Sequence, residues 1–222
     1  MIAHAAAWLA FMIGLLAGGE IEDAGSFALA AVGGAALVWA GFASASRVRE
    51  LPSRSNLQRA RLALLALAAG IGLGLANLSA NWLIAASDPA LRALLVRRFA
   101  TLQRQPLQGV VVAPLVEEVT IRLFLMSVLA WFVFRQTKRA WLAFAFALAG
   151  SSLFFAVLHL ARPLPLDPAL ANFYRATLVV KYTLAGVPLA WIYWRWGLPY
   201  SMVCHAAANA AHLIVQRIVF ST

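Results

Sequence analysis

The sequence predicts an all-α fold, a polytopic transmembrane helical bundle of about seven spans, with six to eight as the range. Of the 222 residues, 63% are hydrophobic and only 12% are charged, and the mean hydropathy is +0.81. A soluble domain usually carries about twice that fraction of charged residues. Apolar stretches of 17 to 28 residues recur along the chain, and a hydrocarbon core about 30 Å thick requires helices of that length.

Seven segments have the length and composition of membrane spans, and together they predict a single integral membrane domain over residues 1–222. They are residues 2–18, 25–46, 62–87, 107–134, 140–160, 173–194 and 198–220. No Lys or Arg precedes the first segment, which favours a retained helix over a cleaved signal peptide. Residues 90–107 place four arginines among apolar residues, a pattern typical of an amphipathic helix at the membrane interface.

The net charge of +10 is explained by membrane topology rather than by nucleic-acid binding, because the basic residues are scattered between spans and form no nucleic-acid motif. Basic loops at residues 47–61 and 135–139 should face the cytoplasm. Seven spans then place the N-terminus inside, but they also place the arginines of residues 90–107 outside, so the orientation stays open. The small, Ala-rich chain predicts a bacterial inner membrane protein whose partners are the lipid bilayer and a substrate.

Three charged residues lie within the apolar segment 107–134: Glu117, Glu118 and Arg122. Ionisable groups at membrane depth cost about 2.5 to 3.5 kcal/mol each and are interpreted first as functional. Residues four apart share a helix face, so Glu118 and Arg122 neutralise each other while Glu117 points elsewhere. Glu117 is therefore the predicted general base. The alternative is a structural charge network in which Lys181, in a later span, pairs with a glutamate.

Two later spans supply imidazoles and an amide. Phe155 and His159 are four residues apart, and His205, Asn209 and His212 lie on one stripe of the last span. A carboxylate and a histidine can activate water, while a second histidine and an amide can stabilise an oxyanion. This set suits hydrolysis. It also suits zinc, although the chain contains no HExxH motif. Asn77 and Asn81 are expected either to join this polar interior or to hold helices together.

Three segments resemble the motifs of one protease family. Residues 113–122, APLVEEVTIR, resemble its EExxxR motif, residues 155–159, FAVLH, its FxxxH motif, and residues 205–209, HAAAN, its HxxxN motif. All three occur in order on three predicted spans. The chain thus resembles the CAAX prenyl protease and bacteriocin-processing family, also called CPBP or Abi, of intramembrane endopeptidases, with a catalytic core at about residues 107–220. It departs from that family at Ile121 and Leu123, where members often carry an aromatic residue and a glycine.

The resemblance implies a role for each matching residue. Glu117 would activate water with help from His159, and His205 and Asn209 would form the oxyanion hole. Supporting roles would belong to Glu118, Arg122 and Phe155. His212 and Lys181 would either contact the substrate or support the site indirectly. No cofactor is expected to be required; zinc is the alternative, with Glu117, His159 and His205 as its ligands.

The predicted substrate is a membrane-anchored or secreted protein or peptide, cut near the membrane surface. The competing prediction is a non-enzymatic membrane protein, either an immunity protein that binds a bacteriocin or a small transporter. Intramembrane charges and Asn residues suit a translocation path. Transporters usually show internal repeats, and this sequence has none that we detect.

Overall fold

The fold is all-helical, as the sequence predicts. A computed structural model describes residues 24–104, 106–160 and 164–220, together with residues 4, 7–9, 11 and 12; the side chains of 24–29, 101–102 and 219–220 lie outside that description. Every regular element in these ranges is a helix. In chain order the helices are α1 (Ala24–Ser46), α2 (Asn56–Ser87), α3 (Pro89–Arg104), α4 (residues 108–137), α5 (Ala140–Leu158), α6 (Pro168–Trp196) and α7 (Leu198–Phe220).

Local sequence signals set several helix boundaries. Ser55 caps α2 in a capping box with Gln58, which satisfies two backbone groups that the first turn leaves unpaired. Asp167 accepts two backbone N–H groups at the start of α6, directly before a proline in the first turn. Gly197 has a φ of 105°, a conformation that side chains disfavour, and it permits the tight turn from α6 into α7.

Helix α4 changes its winding along its length. Gln108–Val112 and Glu118–Met126 are π-helical, whereas Ala113–Glu117 and Ser127–Thr137 are α-helical. Wider π turns are rare and frequently occur at functional sites. The two glutamates therefore flank a junction, since Glu117 ends an α-helical turn and Glu118 begins the longer π segment.

Close packing of α2 against α7 depends on glycine. A Cβ atom on Gly70 would lie 2.2 Å from the Cys204 carbonyl oxygen, and one on Gly74 would lie 2.3 Å from that of Ala208. Small residues allow helix backbones to approach this closely, which is how membrane helices gain van der Waals contact. This seam fixes the position of α7, the helix with His205 and Asn209.

The outside of the bundle is apolar. Exposed large side chains occur on most of the helices, for example Trp39, Leu65, Trp82, Phe146 and Ile214. Such extended apolar surface is unusual for a soluble protein and typical of contact with lipid. Among the described residues, three helices are long and apolar enough to cross a membrane, namely α2, α5 and α6. These features indicate an integral membrane protein.

The criterion of helix length and hydropathy identifies fewer spans among the described residues than the seven that the sequence predicts. Most of segment 2–18 lies outside the described residues, and α1 contributes a shorter apolar stretch, Ala30–Ser46. Changes of winding divide α4 into short pieces. Helix α7 contains two histidines, an asparagine, a glutamine and an arginine, which lower its mean hydropathy. Each of the other predicted segments corresponds to a helix. Which of these helices cross the membrane, beyond α2, α5 and α6, stays a prediction.

The arginine-rich segment predicted at residues 90–107 forms α3, and it is amphipathic. Leu91, Leu94 and Phe99 are buried in a core cluster with residues of α6, while Arg92 is exposed. The polar face of α3 nevertheless turns one arginine, Arg98, toward the interior of the bundle, where it lines a cavity. Its placement at the membrane interface remains a prediction.

Candidate active site

Four predicted catalytic side chains line one cavity of about 450 Å³, here called the central cavity: Glu117, His159, His205 and Asn209. Glu117 comes from α4, His159 from the residue that follows α5, and the other two from α7. The cavity has the size of a typical small-ligand site. Residues that are far apart in sequence thus face a common space.

A buried ion pair supports the α4 side of the cavity. Arg122 Nε lies 3.7 Å from Glu118 Oε1, and the two side chains are 0% and 1% exposed. Arg122 Nη1 also donates to Ser151 Oγ of α5 at 3.3 Å, and its guanidinium lies 5.3 Å from the centre of the Phe155 ring. The i,i+4 pair expected from the sequence therefore forms, and it also joins α4 to α5.

His205 lies between the two glutamates. Its Nδ1 donates to Glu118 Oε1 at 3.0 Å, and its Nε2 lies 3.6 Å from Glu117 Oε2. Burial excludes water from this contact, since His205 is 5% exposed. The sequence did not predict these contacts, because they depend on α7 crossing α4 beside both glutamates and no spacing in the sequence specifies that crossing. The predicted sharing of one water between Glu117 and His159 stays a prediction.

The ring of His159 is held on three sides. Its Nδ1 donates to the Phe155 carbonyl oxygen at 2.8 Å; a carbonyl can only accept, so Nε2 of the neutral ring carries the free lone pair. The ring stacks on Tyr182 with centroids 4.0 Å apart and an interplanar angle of 24°. Phe155 meets it edge-on at 4.8 Å. His159 is therefore positioned to accept a proton through Nε2.

Asn209 is oriented by a carbonyl that proline leaves free. In the first π segment of α4, the Ala113 N–H donates to Gln108 O. The next bond of that pattern would run from residue 114 to Gly109 O, but Pro114 has no N–H. Asn209 Nδ2 donates to Gly109 O instead, at 2.8 Å. An amide nitrogen has two hydrogens, so one N–H remains for the cavity.

Lys181 and His212 belong to a second polar group on the same cavity. Lys181 Nζ donates to Asn81 Oδ1 at 2.7 Å, and Asn81 Nδ2 lies 3.3 Å from His212 Nε2. The alternative in which Lys181 pairs with a glutamate is therefore not observed among the described ion pairs. Asn77 and Asn81 both line the cavity, and Asn81 also bridges helices.

Zinc would need three ligands around one point. Within the described ranges, no three His, Cys, Asp or Glu side chains converge closely enough to hold a metal ion. The geometry accordingly does not bring the set Glu117, His159 and His205 together as ligands, and no step is assigned to a metal. Independence from a cofactor remains a prediction.

Sequence reasoning missed several residues that shape this site. Ser151 lies four residues before Phe155, so helical spacing could have placed it on the same face. Gly109 lies five residues before Pro114, a signal that has meaning only once the π winding is known. No sequence pattern indicates the stacking of Tyr182 on His159, because it depends on how α6 passes α5.

Comparison with protein families identifies the family of the chain's second half. The model of a protein family described as type II CAAX prenyl endopeptidase Rce1-like matches residues 100–211, half of the chain. The matched range includes all three motifs and the four cavity residues named first. No curated protein and no solved structure matches the chain.

Proposed function

Because the chain belongs to the type II CAAX prenyl endopeptidase Rce1-like family, we propose that it is an intramembrane endopeptidase that hydrolyses a peptide bond in the central cavity. The observation that carries this proposal is the convergence of Glu117, His159, His205 and Asn209 on one cavity of about 450 Å³. A carboxylate, a basic imidazole and two further polar groups form a set suited to water activation and oxyanion stabilisation. Family membership alone implies a protease; the assignment of roles is the proposal.

Water is activated between Glu117 and His159. The Glu117 side chain is 27% exposed, so it can reach a water molecule in the cavity, and the Nε2 lone pair of His159 accepts a second hydrogen bond from that water. One of these groups takes the proton as the water oxygen attacks the peptide carbonyl. The proton then passes to the leaving amine nitrogen. General bases of this kind contribute roughly 10²- to 10⁴-fold to the rate.

The oxyanion is stabilised from α7. The second N–H of Asn209 provides one donor, since the first is used by Gly109 O. His205 donates its Nδ1–H to Glu118, so its Nε2 donates only when the ring carries two protons. The protonated ring between two carboxylates is the form that acts here. Each such donor is worth about 3 to 4 kcal/mol to the transition state.

The substrate in this proposal is a membrane-anchored or secreted protein or peptide that enters from the bilayer or its surface. The apolar exterior supports access from lipid, and a seven-span arrangement in a bacterial inner membrane is part of the same proposal. Nucleic acid is not a partner in this proposal, and no oligomeric state is assigned.

The test is to map protein N- and C-termini in the membranes of cells that express the wild-type chain, Glu117→Gln or Glu50→Gln at equal levels. Glu50 is exposed in a loop, so its variant is a matched control for the same chemical change. New termini should appear with the wild type and with Glu50→Gln but not with Glu117→Gln. Identical termini in all three would instead support a binding protein of the immunity type.

A further inference from the structure

One end of the helix bundle is strongly basic. Short connections there lead from α1 to α2, from α4 to α5 and from α6 to α7. The residues at and between these helix ends, here called the basic end, are 47–55, 135–139 and 195–197. They contain seven Lys or Arg residues and one acid, Glu50. The proposed peptidase mechanism uses none of these charges.

Contacts between the three connections show that they lie together. Arg49 donates to the carbonyls of Tyr193 and Trp194, which joins the α1–α2 loop to the end of α6. Arg54 donates to two further carbonyls in the last turn of α6. Trp194 meets the ring of Phe144, near the start of α5, with centroids 5.1 Å apart. Two of the arginines are therefore engaged by backbone carbonyls and hold the basic end together.

Arg47 and Arg135 are held differently, by one aromatic ring. Each guanidinium lies 5.7 Å from the centre of the Trp131 ring, within the range of a cation–π contact. Both arginines are exposed, and among the described residues neither has a carboxylate partner or a hydrogen-bond acceptor for its side chain. Each guanidinium has five N–H donors. Trp131 thus joins two cations whose donors are available to a ligand.

Exposed apolar side chains place this arginine pair at the depth of lipid headgroups. Phe132 of α4 and Trp39 of α1 are 56% and 67% exposed, and Arg135 follows Phe132 by less than one helical turn. Trp141, the second residue of α5, is 65% exposed. Exposed apolar rings contact the bilayer, and Trp and Arg side chains at helix ends lie at its interface with water. A ligand of the pair is therefore found at the membrane surface.

We propose that Arg47 and Arg135 bind the phosphodiester group of an anionic phospholipid such as phosphatidylglycerol. Guanidinium groups match phosphate oxygens through paired N–H donors, and the phosphodiester is the anion that the bilayer itself supplies at this depth. Phosphatidylcholine carries a cation beside its phosphate, which the surplus positive charge of the basic end repels. A headgroup with net negative charge is attracted instead. This inference does not depend on proteolysis.

A lipid bound in this way joins the end of α1 to the end of α4. The two helices already pack closely, since a Cβ atom on Gly41 would lie 2.5 Å from the Leu123 carbonyl oxygen. A ligand that binds the folded protein and not the unfolded chain raises stability. Phosphatidylglycerol should therefore raise the unfolding temperature more than phosphatidylcholine does.

The test is a lipid-binding titration of the full chain in dodecyl maltoside. Phosphatidylglycerol and phosphatidylcholine, each labelled on an acyl chain, are titrated separately, and binding is followed by fluorescence anisotropy. The wild type should bind phosphatidylglycerol about tenfold more tightly. Arg47→Gln and Arg135→Gln should each weaken that binding about fivefold and leave phosphatidylcholine binding unchanged. Arg92→Gln is the matched control, because Arg92 is exposed on α3, at the other end of α2; it should preserve the preference.

Three results would overturn the inference. Equal binding of the two lipids by the wild type denies a site for an anionic headgroup. A loss in Arg92→Gln as large as in Arg47→Gln assigns the preference to the net charge of the chain rather than to this pair. Displacement of phosphatidylglycerol by inorganic phosphate, where sodium chloride at the same ionic strength has no effect, assigns the pair to a free phosphate compound.

Discussion

The two sides of the central cavity hold charge in opposite ways. On the α4 side, Arg122 and His205 each lie within 3.7 Å of Glu118, and all three side chains are almost fully buried. On the side formed by α3 and α6, Arg98 and Lys181 face the cavity with neutral partners. A buried charge pair depends strongly on both of its members, whereas the loss of a cation with a neutral partner leaves no carboxylate unpaired. The two sides should therefore respond differently when a charge is removed.

Replacing Arg122 should have the largest effect on stability, because it removes one member of the buried ion pair on the α4 side. Arg122→Met leaves the buried Glu118 carboxylate with His205 as its remaining charged partner, and loss of one member of a buried pair typically costs about 3 to 5 kcal/mol. Thermal unfolding in nanodiscs should show a clear loss of stability. Lys181→Gln, measured in parallel, should cost much less because no carboxylate loses a partner. Equal losses in both variants would remove the distinction between the two sides.

A glycine pair tests whether the α2–α7 seam positions the site. In Gly74→Ala the new Cβ would lie 2.3 Å from the Ala208 carbonyl oxygen, so α7 must shift together with its neighbour Asn209. We expect a loss of about 1 to 3 kcal/mol in stability and a fall in proteolytic rate. Gly72→Ala is the matched control, because a Cβ there meets no atom within 4 Å. Similar rates in the two variants would show that the seam does not set the geometry.

How far the sequence predicts this molecule depends on whether a feature is local. The helices and the Glu118–Arg122 pair follow from apolar runs and from helical spacing, and both are confirmed. Contacts between helices are different: the bridge from Glu118 to His205 and the bond from Lys181 to Asn81 depend on crossing angles that no motif contains. The π winding of α4 was also not predicted, because backbone winding responds to packing and to the missing N–H of Pro114.

Tyr182 links the two sides of the cavity. Its loss should lower the catalytic rate rather than the stability of the protein. Tyr182→Leu removes the ring that stacks on His159 at 4.0 Å, and a misplaced base should lower kcat by about tenfold or more. Tyr182→Phe keeps the ring and should retain most of the activity. The measurement is steady-state kinetics with a peptide substrate. Equal activity of the Leu and Phe variants would show that stacking does not position His159.

A change far from both sides supplies the smallest expected effect. Arg49 donates to the carbonyls of Tyr193 and Trp194 at the end of α6, where a cation also complements the helix dipole. Arg49→Gln should lower stability by about 1 kcal/mol and leave the rate of peptide hydrolysis unchanged, as thermal unfolding and kinetics in nanodiscs would show. A fall in the hydrolysis rate as large as that of Tyr182→Leu would show that the site responds to distant packing.

The most direct test of the central claim is peptide hydrolysis by the purified protein in nanodiscs, comparing the wild type with Glu117→Gln and Glu50→Gln by mass spectrometry. Gln has the shape of Glu, and the Glu117 side chain is partly exposed, so unfolding temperatures should be the same. The account predicts cleavage by the wild type and by Glu50→Gln, and a loss of at least about 10²-fold in Glu117→Gln. Cleavage by Glu117→Gln at the wild-type rate would contradict it.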